Sequence, residues 1–174
     1  MSQKHKLNKI KINKTLKVNE IFKSIQGESS KVGFPCIFIR LTYCNLRCSY
    51  CDTEYAFHDG EDKTIESILN QIKDYKTKLV QVTGGEPLLQ KNSIILLNEL
   101  VKLNYEVLLE TSGSLPITNV PKKVKKVVDF KCPTSKMSKK NLWTIANDLS
   151  MHDEIKFVIG DINDYEWTKL KIKE

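Results

Sequence analysis

The sequence predicts an α/β fold in which parallel strands are joined by helices. Short runs of β-branched and aromatic residues alternate with longer amphipathic stretches along the 174-residue chain. Such alternation is typical of strands connected by helical crossovers. Polar and glycine-containing segments directly follow the predicted strands, where the functional loops of parallel α/β folds lie. We therefore expect a parallel sheet or partial barrel with its chemistry at one rim.

The opening of the chain predicts a basic tail followed by two strands. Residues 1–17 are expected to form the tail or a short edge strand, and residues 18–174 a single domain. A short strand and loop are predicted over residues 18–28. Residues 35–43 are β-branched and aromatic, which indicates a buried strand that leads directly into a cysteine-rich loop.

Helices and strands alternate over the rest of the sequence. Thr64 is predicted to cap a helix over residues 65–76, and a second helix is predicted over residues 90–103. The residues expected to face the core in these two helices are Ile65, Ile68, Leu69, Ile72, Ile94, Leu97, Leu100 and Val101. The remaining predictions are strands at 78–83, 106–111, 126–131 and 154–160, a helix at 141–150 and a last helix from residue 164.

The composition is that of a globular protein with excess positive charge. Hydrophobic residues make up 40%, charged residues 28%, and the net charge is +7. No apolar run approaches the ~20 residues of a membrane span, and the N-terminal residues lack the apolar stretch of a secretory signal. We expect a cytoplasmic protein without membrane contact. The lysine-rich runs favour a solvated surface over a nucleic-acid footprint, because they contain no aromatic residues for stacking on bases.

Three of the five cysteines lie together in the segment CNLRCSYC, as Cys44, Cys48 and Cys51. In a reducing compartment, clustered cysteines indicate metal binding or catalysis more than disulfides. Each iron of a four-iron cluster needs one outside ligand. Three cysteines would leave one iron open to the amino and carboxylate groups of a methionine moiety. The alternative is a zinc site with Cys132 or His58 as the fourth ligand, and the spacing alone does not decide.

The cysteine spacing C-x-x-x-C-x-x-C, with Tyr50 before the last cysteine, resembles the radical SAM superfamily, as does TGGEP at 83–87. In that superfamily the cluster transfers one electron to S-adenosylmethionine (SAM) and a 5′-deoxyadenosyl radical results. A glycine pair lets the backbone approach the methionine amine of SAM. The resemblance implies a partial (β/α) barrel of radical SAM type with parallel strands, apparently shortened at the C-terminus.

Six segments in order resemble one family within it, the 7-carboxy-7-deazaguanine synthases. They are EIFKSIQGE, GFPCIFIRL, CNLRCSYCDTEYAF, VTGGEPLLQ, ETSGSLP and DFKCPTS. The resemblance implies a lyase that converts 6-carboxy-5,6,7,8-tetrahydropterin into 7-carboxy-7-deazaguanine with release of ammonia, in queuosine and 7-deazapurine biosynthesis. The implied cofactors are a 4Fe–4S cluster, SAM and Mg²⁺. The implied partners are the pterin substrate, an electron donor such as flavodoxin or ferredoxin, and a second copy in a homodimer; no direct contact with nucleic acid is implied.

The resemblance also assigns roles to matching residues. The cluster ligands are Cys44, Cys48 and Cys51, and the Mg²⁺ ligand is Thr53. The substrate contacts are Ile25, Gln26, Gly27, Arg40 and Thr83. The SAM contacts are Tyr50, Asp52, Gly85, Cys132, Pro133 and Thr134. Arg40 would meet the substrate carboxylate, a bidentate task for which a guanidinium is suited.

Simpler roles stay open for some of these residues. Arg40 could pair with Glu28 or Glu86, and Thr53 could be a turn or cap hydroxyl. Glu110 could accept hydrogen bonds from the amino–amide edge of a pterin or form a salt bridge at the strand end. Two other functions share the cysteine spacing: an activating enzyme for a glycyl-radical partner, and a zinc-binding module without catalysis.

The sequence departs from the family pattern at three places. Ser29 follows QGE where glycine is usual, and is expected to change the backbone of the substrate loop. Tyr43 stands where a glycine usually precedes the first cysteine. The chain ends at Glu174, before a further strand, a SAM contact and a substrate-binding histidine of the family. We expect iron and SAM binding to survive, the pterin pocket to be less complete, and the chain to self-associate and to cleave SAM slowly without coupling to product.

Overall fold

A seven-stranded sheet organises the part of the chain that the computed structural model describes, residues 14–174. The strands are β1 (Thr15–Ile25), β2 (Pro35–Leu41), β3 (Glu61–Thr64), β4 (Leu79–Gly84), β5 (Glu106–Thr111), β6 (Lys125–Phe130) and β7 (Glu154–Phe157). Their order across the sheet is β3-β1-β2-β4-β5-β6-β7. β1 is antiparallel to β2 and β3, whereas all neighbours from β2 to β7 are parallel. The predicted α/β architecture is confirmed, and the sheet is open rather than closed into a barrel.

Three α-helices accompany the sheet: α1 (Ile65–Ile72), α2 (Ser93–Lys102) and α3 (Ile162–Lys173). The predicted cap is present, because the Thr64 side chain accepts a hydrogen bond from the backbone N–H of Ser67 at 3.1 Å. All four predicted core residues of α1 are buried. In α2 the buried apolar residues are Leu96, Leu97 and Leu100, whereas the predicted Ile94 and Val101 are only partly buried. Among the helices of residues 14–174, none is long and apolar enough to cross a membrane.

Several predicted boundaries were wrong. β1 begins at Thr15, so the last three residues of the expected tail belong to a strand, and residues 1–13 lie outside the described part. β3 was not predicted, since Glu61–Thr64 is short and polar. The helix expected over 141–150 is a 3-10 segment at Trp143–Asp148, whose Thr, Asn and Asp side chains compete with the helical backbone for hydrogen bonds. β7 ends at Phe157 rather than at residue 160.

Side chains of the parallel strands alternate between two faces of different character. On one face the strands and the helices α1 and α2 share an apolar core, to which the strands contribute Ile37, Ile39, Val80, Val82, Val107, Leu109, Val128 and Phe130. The other face lines a cavity with polar side chains, namely Arg40, Gln81, Thr83, Glu110, Asp129 and Lys156. The register places Arg40 beside Thr83 and Asp129 beside Lys156. The fold thus buries one face and delivers charged groups to the other.

Ser29 and Tyr43 both adopt the left-handed backbone conformation, with φ of 64° and 78°. These are the two positions where the family resemblance leads one to expect glycine. The backbone geometry that glycine favours is therefore present at both positions despite their side chains. The expectation that Ser29 changes the backbone of the substrate loop stays a prediction.

We expect Tyr43→Gly to stabilise the protein. The left-handed conformation costs a non-glycine residue ~1–2 kcal/mol, of which the higher entropy of an unfolded glycine cancels ~0.5–1 kcal/mol. The measurement is the free energy of unfolding in urea. Tyr165→Gly is the matched control, because Tyr165 is similarly exposed (49% against 45%) but lies in α3, where glycine destabilises by about 1 kcal/mol. Equal destabilisation by both changes would show that Tyr43 carries no strain.

Candidate active site

One cavity of about 470 Å³ collects the ends of the parallel strands and the cysteine loop. This volume falls within the ~300–1,000 Å³ typical of small-molecule sites. Eleven of the predicted site residues line it: Gln26, Gly27, Arg40, Cys44, Cys48, Tyr50, Cys51, Asp52, Thr53, Thr83 and Gly85. Segments that are far apart in the sequence therefore meet at one rim, as the alternating pattern predicted.

The three clustered cysteines are half-buried at one side of the cavity. Burial raises the pKa of the Cys44 and Cys48 thiols, so ligation of a metal would release their protons. No three His, Cys, Asp or Glu side chains within residues 14–174 converge on a single metal ion. A four-iron cluster takes each thiolate on a different iron atom, and it fits this arrangement better than one tetrahedral zinc.

The end of β4 lies against the chain that enters the cysteine loop. The backbone N–H of Gly85 donates to the carbonyl of Leu41 at 3.2 Å. A Cβ atom at Gly84 would collide with that same carbonyl. A Cβ at Gly85 would collide with the carbonyl of Tyr43 and come within 2.9 Å of the Cβ of Cys44. The glycine pair is thus required by the close approach of two protein segments, which brings Gly85 beside the first cysteine.

Arg40 is held by a carboxylate that the sequence did not single out. Its Nε donates to Oε1 of Glu20 on β1 at 2.7 Å, and the hydroxyl of Tyr55 donates to the same oxygen at 3.1 Å. The alternatives weighed from the sequence, Glu28 and Glu86, are not its partners. No other hydrogen bond of this guanidinium is made within residues 14–174, so its terminal nitrogens are available at the cavity.

Glu86 has a structural place instead. Its carboxylate is fully buried and accepts hydrogen bonds from the backbone N–H and the hydroxyl of Ser112, at 2.7 and 2.6 Å, and from the hydroxyl of Thr111. It also accepts from the N–H of Leu88 at 3.0 Å. These bonds satisfy the buried charge and tie the loop after β4 to the loop after β5.

Thr53 occupies the N-cap position of a 3-10 helix but does not cap it through its side chain. Its side chain makes no capping hydrogen bond to the 3-10 helix Glu54–Phe57 that follows. The hydroxyl donates to Oδ1 of Asp52 at 2.6 Å, and Thr53 lines the cavity. Because the donated proton points to Asp52, the oxygen lone pairs of Thr53 are left as an acceptor or ligand site.

The sequence interpretation missed several polar residues of the cavity: Glu28, Gln81, Asp129, Lys131 and Lys156. Most of them could have been found from the sequence, because they are polar residues at alternate positions of strands that are otherwise apolar. The salt bridge considered for Glu110 is present, with Nζ of Lys156 at 3.0 Å. Glu110 lines the cavity as well, so the salt bridge does not remove it from the site.

Two buried polar atoms of cavity residues have no hydrogen-bond partner within residues 14–174: Oη of Tyr50 and Oδ1 of Asp129. Burial raises the pKa of Tyr50 to about 12, so its phenol stays protonated. The other carboxylate oxygen of Asp129 accepts from Nζ of Lys131 at 2.9 Å. Buried polar atoms are rarely left unpaired, and both of these belong to residues that line the cavity.

The sequence and the fold of this chain are both similar to those of known proteins. The model of the radical SAM superfamily matches residues 38–137. A 7-carboxy-7-deazaguanine synthase of Koribacter versatilis is 46% identical over 156 residues, which cover 88% of this chain and 69% of that protein. The chain belongs to the 7-carboxy-7-deazaguanine synthase family. The synthase of Chlorobaculum tepidum is 42% identical, over 88% of this chain and 71% of that protein. The crystal structure of QueE from Escherichia coli superposes with a TM-score of 0.79 at 25% identity, covering 91% of this chain and 78% of that one.

Membership of the synthase family confirms the expectation of a radical SAM enzyme, a class that uses SAM and a 4Fe–4S cluster. Neither the glycyl-radical activating enzyme nor the zinc module is supported. The curated relatives are longer than this chain, which spans about seven tenths of the two described above.

Four residues that the family resemblance assigned to ligand contacts do not line the cavity: Ile25, Cys132, Pro133 and Thr134. Ile25 is 65% exposed at the end of β1. Cys132 is fully buried, with its Sγ 3.5 Å from Oγ1 of Thr168 on α3. The loop after β6 instead borders the cysteine loop, because the hydroxyl of Ser49 donates to the carbonyl of Thr134 at 2.6 Å.

We expect single replacements of Cys44, Cys48 or Cys51 by Ala to lower the iron and sulfide content after anaerobic reconstitution to below about half of the wild-type value, because each removes one ligand of the cluster. Cys36→Ala and Cys132→Ala are the matched controls, since both thiols are fully buried outside the cavity. Iron content that depends on Cys132 and not on one of the three loop cysteines would overturn the assignment.

Proposed function

We propose that this protein converts 6-carboxy-5,6,7,8-tetrahydropterin into 7-carboxy-7-deazaguanine with release of ammonia, as a cytoplasmic enzyme of 7-deazapurine biosynthesis. The proposal is supported by one observation above the others. A single cavity has the three-cysteine loop at one side and a guanidinium, two amides and a carboxylate at the other. Such a cavity can hold a radical-generating centre and a polar heterocyclic acid together.

Substrate recognition is assigned to groups on β2, β4 and β5. Arg40 binds the substrate carboxylate through its terminal nitrogens, while Glu20 keeps the guanidinium in orientation. Glu110 accepts hydrogen bonds from the amino–amide edge of the pterin. Its Oε2 already accepts from Nε2 of Gln81 at 2.7 Å and from the hydroxyl of Thr83 at 3.2 Å, which fixes the plane of the carboxylate. Gln26 and Gly27 close the same side of the cavity.

Magnesium is assigned to the region between Thr53 and the substrate carboxylate. Mg²⁺ prefers oxygen ligands, and Thr53 supplies a neutral one at the cavity wall. Tyr55, two residues after Thr53 in the chain, links this region to Arg40. Its hydroxyl bonds the same Glu20 oxygen that holds the Arg40 guanidinium. A cation at Thr53 and a carboxylate at Arg40 would therefore be neighbours.

The cluster ligands are Cys44, Cys48 and Cys51, with Gly85, Tyr50 and Asp52 at the adjoining SAM position. When bound, the cluster and SAM supply the 5′-deoxyadenosyl radical that begins the reaction on the substrate. The chain's own contribution is to orient the pterin and to exclude water, for which the cavity offers Phe38, Leu46, Phe57 and Val158. An external electron donor such as flavodoxin or ferredoxin, and a homodimeric state, complete the proposal.

The direct test is anaerobic reconstitution followed by incubation with SAM, a reductant, Mg²⁺ and the carboxytetrahydropterin. We expect a brown protein with broad absorption near ~400 nm. The proposed function also requires formation of ammonia and the carboxydeazaguanine in equal amounts, in place of the uncoupled SAM cleavage expected from the sequence alone. A colourless protein that binds one zinc, or a brown one that cleaves SAM without ever forming the deazapurine, would contradict the proposed function.

We expect Arg40→Lys to raise KM for the pterin by ~10–100-fold, because a point charge replaces a bidentate fork and hydrogen bonds to charged groups contribute ~1.5–3 kcal/mol. The affinity for SAM should stay within about twofold, since Arg40 is assigned only to the substrate. A loss of SAM affinity as large as the loss of pterin affinity would contradict this assignment.

We expect Thr53→Ala to weaken the dependence of turnover on Mg²⁺ while SAM still binds. The change removes the neutral oxygen donor and leaves the backbone of the loop in place. Thr77→Ala is a control that removes an exposed threonine hydroxyl bonded to the carbonyl of Pro35, far from the cysteine loop. A Mg²⁺ titration of initial rates makes the comparison, and an unchanged titration in Thr53→Ala would remove Thr53 from the metal site.

A further inference from the structure

Five polar side chains of the cavity form a closed ring of hydrogen bonds. Nζ of Lys156 on β7 donates to Oε2 of Glu28 at 2.5 Å and to Oε1 of Glu110 at 3.0 Å. Oε2 of Glu110 accepts from Nε2 of Gln81 at 2.7 Å. The Oε1 atom of Gln81 accepts from Nε2 of Gln26. The ring closes where the backbone N–H of Glu28 donates to Oε1 of Gln26 at 3.2 Å.

The orientation of each amide in this ring is determined by the Glu110 carboxylate, which Lys156 holds, and by the backbone N–H of Glu28. A lysine can only donate and an ionised carboxylate can only accept. Because the Glu110 carboxylate can only accept, Gln81 must present its NH₂ group there and its oxygen to Gln26. Gln26 must then present its NH₂ group to Gln81 and its oxygen to the backbone of Glu28. Lys156 bonds both glutamates and so anchors the two ends from which this pattern follows.

Four of the five side chains of the ring are mostly buried, whereas that of Glu28 is 56% exposed. Gln26 and Gln81 are 3% and 6% exposed, and the side chains of Lys156 and Glu110 are 25% and 21% exposed. Burial alone would lower the pKa of Lys156, but the charge of Glu110 and the hydrogen bond to Glu28 raise it well above its ordinary value. The ammonium therefore stays charged. Hydrogen-bond donors or acceptors of Gln81 and Glu110 that lost their partners would find little water to bond instead.

A second lysine holds the same loop from outside the cavity. Nζ of Lys125 on β6 donates to the hydroxyl of Ser30 at 2.7 Å and pairs with Glu154 at 2.5 Å. The backbone N–H of Ser30 also meets the Glu154 carboxylate at 3.2 Å. Lys125 does not line the cavity and does not contact the ring. The loop at Glu28 and Ser30 is thus held by two lysines, of which only Lys156 lines the cavity.

We propose that Lys156 is a positioning residue for substrate binding, which acts by holding the Glu110 carboxylate and the loop at Glu28, and through them the Gln81 and Gln26 side chains, around the substrate. The inference rests on the proposed function, because it takes the pterin as the ligand of these groups. With the ring set by Lys156, the cavity offers one fixed pattern of donors and acceptors before the substrate arrives. Such preorganisation lowers the cost of ordering on binding.

The test compares Lys156→Met with Lys125→Met in the reconstituted holoenzyme. Calorimetry would measure the dissociation constants of the carboxytetrahydropterin and of SAM. We expect Lys156→Met to weaken pterin binding at least 10-fold and SAM binding by less than twofold, and Lys125→Met to change neither by more than twofold. Lys156→Arg, which keeps a donor-only cation, should regain most of the pterin affinity, and Lys156→Gln, which is neutral and can accept, should not.

Hydrogen exchange in the substrate-free protein gives a second readout that does not depend on the substrate. The Glu28 amide proton takes part in the ring, so we expect it to exchange faster in Lys156→Met and unchanged in Lys125→Met. Unchanged exchange and pterin affinity in Lys156→Met would overturn the inference, as would equal losses in the two methionine variants, which would indicate a tether only. A wild-type protein that does not bind the pterin would overturn the proposed function, while the exchange comparison would still decide whether Lys156 orders the ring.

Discussion

The close approach of the β4 end to the chain entering the cysteine loop is the constraint on which the site depends. It needs two glycines on one side, because any side chain at Gly84 or Gly85 would collide with carbonyl groups of the facing segment. It needs a left-handed residue on the other side, which Tyr43 provides. Tyr43 is in turn fixed by a hydrogen bond from its N–H to the carbonyl of Ala56 at 2.9 Å. The cysteine loop is therefore fixed to the strand ends before any cofactor binds.

The charges of the cavity carry an energetic cost that the fold does not need. Replacing buried ion pairs by apolar residues is often neutral or stabilising, whereas removal of one partner is strongly destabilising. Lys156 lies among Glu110, Glu28 and Asp129, the last at 3.8 Å, and Asp129 also pairs with Lys131. These paired charges are therefore expected to contribute little net free energy to folding. A role in ligand binding, as proposed for Lys156 and Glu110, would account for such charges at the strand ends.

The sequence allowed the fold and the cysteine site to be predicted because both have local signals. The apolar runs of β2 and β4 to β6 and the amphipathic faces of α1 and α2 follow periodicities that burial imposes. The cysteine spacing and the glycine pair are short motifs with fixed chemistry. β3 carried no such signal, since a short polar edge strand is held by its partner β1 rather than by its own residues. The partner of Arg40 was missed for a related reason: Glu20 becomes its neighbour only through the antiparallel register of β1 and β2.

A row of alternating negative and positive side chains runs across the cavity. From the loop at Glu28, the row passes through Lys156 and Asp129 to Lys131, so that negative and positive groups alternate. The last member lies close enough to the cysteine loop for its charge to lower the pKa of Cys48 against the dominant effect of burial. Because each charge in this row is balanced by its neighbours in a medium of low polarity, a change at one end alters the field at the other. The residues proposed to orient the substrate and those beside the cysteine loop thus belong to one row of paired charges, which the register of β6 and β7 helps to assemble.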